Sequence, residues 1–134
     1  MTLNLDQLAA QLRSPDVATR RSAAEQLAQQ GEAAGALAIA LIGALADDDE
    51  ATREWLVSAL EDCGPPSLDA TEELSRIVTH DSLDESYWAA TLLGRLGTDA
   101  SAITPSLEHA QQNSAHATVR RRAAWALDQI RRSG

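Results

Sequence analysis

Two tryptophans, Trp55 and Trp88, stand thirty-three residues apart, with Ser22 one such step earlier and Arg122 thirty-four residues further on. Tyr87 precedes Trp88, Arg121 precedes Arg122, and Trp125 follows within one helical turn. Indole, phenol and guanidinium groups stack on one another, with the cation drawn to the aromatic face. Trp, Tyr and Arg are also the side chains that dominate binding hot spots. Such residues at one repeated spacing point to recognition rather than to bond-making chemistry. If Ala23 and Leu27 mark the buried side of a helix, the slot of Ser22, Trp55, Trp88 and Arg122 lies about 100° round from it. That is a flank, between core and solvent, while Trp125 and Arg121 fall almost opposite the buried side. The expected contact strip is therefore Trp55, Trp88 and Arg122, with Tyr87, Trp125 and Arg121 beside it. A competing expectation has Trp55 and Trp88 filling the seam between helices whose other contacts are small alanines, and Trp125 covering an open end of the fold.

Other reactive side chains do not assemble into a motif. Asp47-Asp48-Asp49-Glu50 lacks the alternating ligands, turn glycine and distal glutamate of a calcium loop. Acids in that position suit a helix start, where they meet the positive end of the dipole. His80, His109 and His116 show no metal-ligand spacing, and Cys63 is the only cysteine, which excludes an intrachain disulfide. Adjacent acids such as Glu61-Asp62 and Glu72-Glu73 project to different sides of a helix. No glycine-rich phosphate loop or Ser-His-Asp arrangement is present. The expectation is a chain with no catalytic residues, no cofactor and no metal, and so not an enzyme.

What must position the aromatic and arginine residues is a repeat. Leu8, Leu41, Leu74 and Leu107 recur every thirty-three residues, and Leu27, Leu60, Leu93 and Leu127 keep the period apart from one extra residue before the last. Periods in this range mark stacked, similar units. Each unit reads as two helical patterns joined by a polar loop, giving repeats of roughly 4–33, 34–65, 66–98 and 99–132. Asn4 is a plausible N-cap, Ser14-Pro15-Asp16 ends the first helix and caps the second, and Thr104-Pro105 is expected to cap and open the seventh. Gly31, Gly64 and Gly97, each four residues after a leucine of the second set, are expected to close the second helices.

The segment Val119-Arg120-Arg121-Arg122-Ala123-Ala124-Trp125-Ala126-Leu127 resembles the inner-helix motif of HEAT repeats, in which Val-Arg is followed by Ala-Ala and Leu. Asp16 to Leu27 is similar, with Thr19-Arg20 in the Val-Arg slot, and so is Thr52-Arg53 with Leu56, Val57 and Leu60. The third repeat departs, with Glu85-Ser86 in that slot. The short bacterial HEAT-like repeats associated with phycobilin lyases are the most similar variety. The resemblance implies an all-α, right-handed α-solenoid of about four helix pairs, forming one domain over residues 1–134, with the second helices on the concave face. It also implies that Arg20, Arg53 and Arg120 bond to the loop acids Asp16 and Asp49, as structural inter-repeat contacts. The loss of the arginine at Ser86 should leave a gap or a weaker seam beside the third repeat. The His-Glu pairs of the di-iron HEAT-repeat hydroxylases are missing, so that chemistry does not transfer.

Composition sets the remaining bounds. The chain has 134 residues, 44% of them hydrophobic, but no Phe, so its core must be built from Ala, Leu, Ile and Val in closely approaching helices. Net charge is -9, with thirteen acids and two arginines between Asp47 and Glu85, and five arginines and one acid from His116 onward. An acidic chain with so local a basic end is a poor nucleic-acid footprint. The amino-terminal stretch has no basic start or continuous apolar run, so neither a signal peptide nor a membrane span is expected, and a cytoplasmic location follows. The function expected is a non-catalytic scaffold or adaptor whose concave face binds a protein or peptide, with positive charge favoured by the acidic middle. An accessory subunit of a bilin lyase-like enzyme is the alternative that the resemblance implies. A self-assembling structural protein is a third, since the ends of a stack can pair as homo-oligomers.

Overall fold

The computed structural model describes residues 4–132, so Met1 to Leu3 of the amino-terminal stretch lie outside the described residues. Within them are eight α-helices and no strand: α1 (Leu5–Gln11), α2 (Val17–Ala28), α3 (Ala38–Gly43), α4 (Glu50–Asp62), α5 (Thr71–Ile77), α6 (Leu83–Leu96), α7 (Thr104–Asn113) and α8 (Ala117–Arg132). Short polar side chains start four of them, α1, α2, α4 and α6. Asn4 and Gln7 form a reciprocal capping box, each side chain accepting the other's backbone N–H. Asp16, Asp49 and Ser82 accept the amide three residues on, from Thr19, Thr52 and Glu85. The start of α7 differs from the sequence expectation. Thr104 is already its first helical residue, and the cap position is Ile103, which makes no side-chain bond. Proline at the second helical position costs no hydrogen bond there, so the helix opens without a polar cap.

All eight periodic leucines are interior. Leu8, Leu41, Leu74, Leu107, Leu27, Leu60 and Leu93 are fully buried and Leu127 is 2% exposed. Burying one leucine side chain stabilises by about 1.5–3 kcal/mol, so the period is the core. Ala23, Ala24, Ala59, Ala89, Ala90, Ala123 and Ala126 share that interior. Cys63 belongs with them, 4% exposed, its thiol 3.5 Å from the Leu60 carbonyl oxygen.

The chain divides into two compact units, Met1–Gly64 and Pro65–Gly134. In the first, α2 packs against both α1 and α4; in the second, α6 packs against α5 and α8, and α8 against α7. Second helices therefore stack on second helices inside each unit. The two units share one feature at twice the period. In both, a positive-φ glycine follows the second helix, Gly31 (φ 58°) after α2 and Gly97 (φ 59°) after α6. A seven-residue 3-10 segment follows, Gly31–Leu37 or Gly97–Ile103. A side chain at either glycine would be strained, because the left-handed region is closed to most L-residues.

Gly64 does not share that conformation, and α4 ends instead on Cys63 in an extended conformation (φ -70°, ψ 151°). What Gly64 provides is room: its N–H donates to the Glu32 carbonyl at 3.2 Å, and an added Cβ would lie 3.3 Å from the Glu32 Cβ. The sequence expectation of three equivalent closures is thus corrected to two closures and one close approach.

Candidate recognition site

The loop acids and the repeated arginines meet, but not in the pairing the resemblance implies. Arg20 Nε donates to Asp47 Oδ2 at 2.8 Å and its NH1 to the Ser14 carbonyl at 2.9 Å. Arg53 NH1 donates to the Asp47 carbonyl at 2.7 Å, and Arg120 NH1 to the Ser114 carbonyl at 2.7 Å. The common element is the carbonyl six residues back, an orphan acceptor at the end of the preceding helix or in the loop after it. Asp16 and Asp49 are occupied with capping. Asp49 also receives a two-pronged bond from Arg21, at 2.8 and 2.7 Å. That bond, with the Thr52 hydroxyl and amide, holds the Asp49 carboxyl far below its ordinary value, and it raises the Arg21 guanidinium in turn. The hydrogen bonds from Thr19 lower Asp16 in the same sense. Arg20 and Arg21 thereby join the first helix pair to the second, while Arg53 and Arg120 tie α4 and α8 to the loops that precede them.

Arg122 is different. Its guanidinium carbon lies 4.9 Å from the centroid of the Tyr87 ring and 4.7 Å from that of Trp125, so the cation is flanked by two aromatic rings. Its NH2 donates to the Tyr87 hydroxyl at 2.8 Å. Tyr87 in turn stands edge-on to Trp88, with centroids 5.2 Å apart and planes at 89°. Trp125 is held from beneath by a missing side chain. A Cβ at Gly94 would come within 2.4 Å of its Cζ3 and 3.0 Å of both Cε3 and Cη2. The indole lies across the α6 backbone at the one point where α6 has no side chain to keep it off.

The expected strip is therefore redistributed. Tyr87, Arg122 and Trp125 form one cluster, all half-buried, and Arg121 beside them is exposed. Trp125 does not project opposite the buried side, because the space over Gly94 lets α8 turn that face onto α6. Trp88, 9% exposed, lies in the interior of its own unit. Trp55 belongs to the first unit and is 37% exposed, an isolated large apolar side chain on α4. Among the described residues, Val17, Leu68 and Leu83 are the other exposed large hydrophobics, and none lies on α7 or α8.

Sequence reasoning missed a second feature. His80, His109 and His116 line a single cavity of about 380 Å³, with Asp81, Asn113 and Ser114. It sits where the loop of the third helix pair meets that of the fourth. Ser86 replaces the arginine there, and its hydroxyl turns back on the Ser82 carbonyl. The loop is instead bridged from the next pair, His116 Nε2 donating to the Asp81 carbonyl at 2.8 Å, while His80 pairs with Glu85 at 3.0 Å. Ser86 is not among the residues that line this cavity. Loops 35 residues apart converge only through the fold, so no local spacing could have shown it. Among the described residues no three His, Cys, Asp or Glu side chains are placed to hold a metal ion. No helix among them is long and apolar enough to cross a membrane.

No protein-family model matches the chain, and no curated protein matches it. Solved structures do. An engineered protein determined by the Northeast Structural Genomics Consortium is 21% identical, with a TM-score of 0.61, over 96% of this chain and 64% of its own. A second engineered protein from the same consortium is 19% identical, with a TM-score of 0.54, over 96% of this chain and 63% of its own. The chain thus spans a little under two thirds of the length of these designed helical proteins. At such identity the likeness concerns the fold alone, and that fold is all-helical.

Proposed function

We propose that the protein is a HEAT-like helical-repeat module whose work is binding a protein or peptide, not catalysis. Leucines buried on one thirty-three-residue period, and second helices stacked on second helices within each unit, support the repeat reading. The observation that carries the binding reading is Arg122, held between Tyr87 and Trp125 at a half-buried position. A guanidinium fixed this way is already ordered, so a partner meets it without the usual cost of immobilising a long side chain. Arg121, exposed on the same helix, offers a further contact. The acidic stretch from Asp47 to Glu85 favours positive charge in the part of a partner that faces it.

A randomised peptide library displayed on phage tests this reading. The wild-type protein should select a consistent sequence class. Arg122→Ala should lose that class while its circular dichroism and melting stay close to wild type. Selection of no consistent class, or one that Arg122→Ala retains in full, would overturn the proposal.

A further inference from the structure

We infer that the Tyr87–Arg122–Trp125 cluster is a receptor for a carboxylate side chain, an aspartate or glutamate of a bound peptide. This rests on the binding reading above and names the chemistry of its ligand.

Arg122 can only donate, and Tyr87 keeps a hydroxyl hydrogen to donate beside its remaining oxygen lone pair. One N–H of Arg122 goes to the Tyr87 hydroxyl oxygen, which leaves the rest of the guanidinium and the hydroxyl hydrogen of Tyr87. Arg122 makes no ion pair with any described acid, in a chain that carries twenty. No buried side-chain nitrogen or oxygen among the described residues lacks a hydrogen-bond partner. The Arg122 nitrogens that make no hydrogen bond are therefore not sealed from solvent. The Tyr87 and Trp125 rings, 4.9 and 4.7 Å from its central carbon, restrict the guanidinium on two sides.

A planar fork of donors beside a hydroxyl matches a planar two-oxygen acceptor. A phosphate would need more: a dianion is usually met by several cations, and here a single fixed guanidinium works inside a chain of net charge -9. A chain-terminal carboxylate is ordinarily captured by a nest of backbone N–H groups, and this cluster is built of side chains only. Local charge agrees with a side-chain acid. From His116 onward there are five arginines and one acid; Arg131 and Arg132 pair with Glu108 and Asp128, and Arg121, exposed beside the cluster, adds attraction without occupying it. The α8 contact is thus opposite in sign to the one favoured by the acidic stretch.

Three probes separate the possibilities: acetylated, amidated penta-glutamate; acetylated, amidated penta-glutamine; and acetylated penta-glutamine with a free terminal carboxylate. Binding is read by tryptophan fluorescence and calorimetry on the full chain at pH 7. Penta-glutamate should bind at least tenfold tighter than either glutamine peptide. Arg122→Lys, which keeps the charge but loses the fork, should remove most of that difference. Tyr87→Phe should weaken penta-glutamate binding several-fold. If Arg122→Lys fails to fold, the Tyr87→Phe result decides. Equal affinity for glutamate and amidated glutamine peptides, or an unchanged Arg122→Lys, overturns the inference while leaving peptide binding itself intact. Tighter binding of the free-terminus peptide also overturns it. No binding of any probe overturns the inference, and the library selection then judges the broader reading on its own.

Discussion

Replacing Gly94 by alanine tests whether Trp125 is held where the structure puts it. Glycine inside a helix is worth about 1 kcal/mol less than alanine, so in isolation the change should stabilise α6. Here the new Cβ would stand 2.4 Å from Trp125 Cζ3, against ordinary carbon contacts of about 3.5–4.0 Å. The ring must retreat by more than an ångström. Overpacking of that kind costs about 1–3 kcal/mol. The two effects together give a net destabilisation of roughly 0–2 kcal/mol. Trp125→Ala removes the obstacle, and Gly94→Ala in that background should then stabilise by about 1 kcal/mol. The cycle of four proteins, followed by urea unfolding, should therefore show a coupling of about 1–3 kcal/mol and a reversal of sign. Retreat of the ring also pulls it from the Arg122 guanidinium, so Gly94→Ala should change the indole emission at once. A gain of stability equal in both backgrounds, with unchanged emission, would refute the packing of Trp125 on Gly94 and, with it, the ordering of Arg122.

Leu41→Ala and Leu60→Ala should each cost about 2–5 kcal/mol in urea unfolding, since both side chains are fully buried and leave cavities; near-wild-type stability would undo the repeat core. Gly97→Ala should lose about 1–3 kcal/mol, because φ 59° with ψ -138° is a glycine conformation, and a neutral result would contradict that backbone. Asp49 has its folded-state ionisation lowered by Arg21, so the pair's contribution is fully present above the ordinary carboxylate value of 3.8 and declines as pH falls further. Asp49→Asn keeps a capping acceptor but loses the charge. Its deficit against wild type should be full at pH 6 and shrink below about pH 4, and a deficit that grows on acidification would contradict the ion pair.

The core was open to reading because burial repeats: one leucine per helix, at one spacing, with small residues around it. The caps at Asn4, Asp16 and Asp49 were equally legible, since each acts within three residues of itself. Reading failed where a side chain chooses between two partners at similar reach. Arg20 prefers Asp47 to Asp16 because Asp16 is already tied to Thr19, and Asp49 is taken by Arg21 from outside its own repeat. Trp125 was misread because angles on an ideal helix assume that the neighbouring helix carries side chains, and Gly94 does not. The three histidines are separated in sequence and line one cavity only because the loop after α5 lies against α7 and the loop that follows it. Gly64 had the right residue type for a helix closure but serves a close approach to Glu32 instead.

The central claim is that Arg122, fixed by Tyr87 and Trp125, exists to meet a partner and not to hold the fold. Affinity and unfolding free energy measured side by side for wild type and Arg122→Ala, with a peptide taken from the library selection, test it most directly. The expected result is at least a tenfold loss of affinity, about 1.4 kcal/mol, with unfolding free energy changed by less than about 1 kcal/mol. Unchanged affinity, or a loss of stability as large as the loss of binding, would mean that the cluster is packing and the recognition site lies elsewhere.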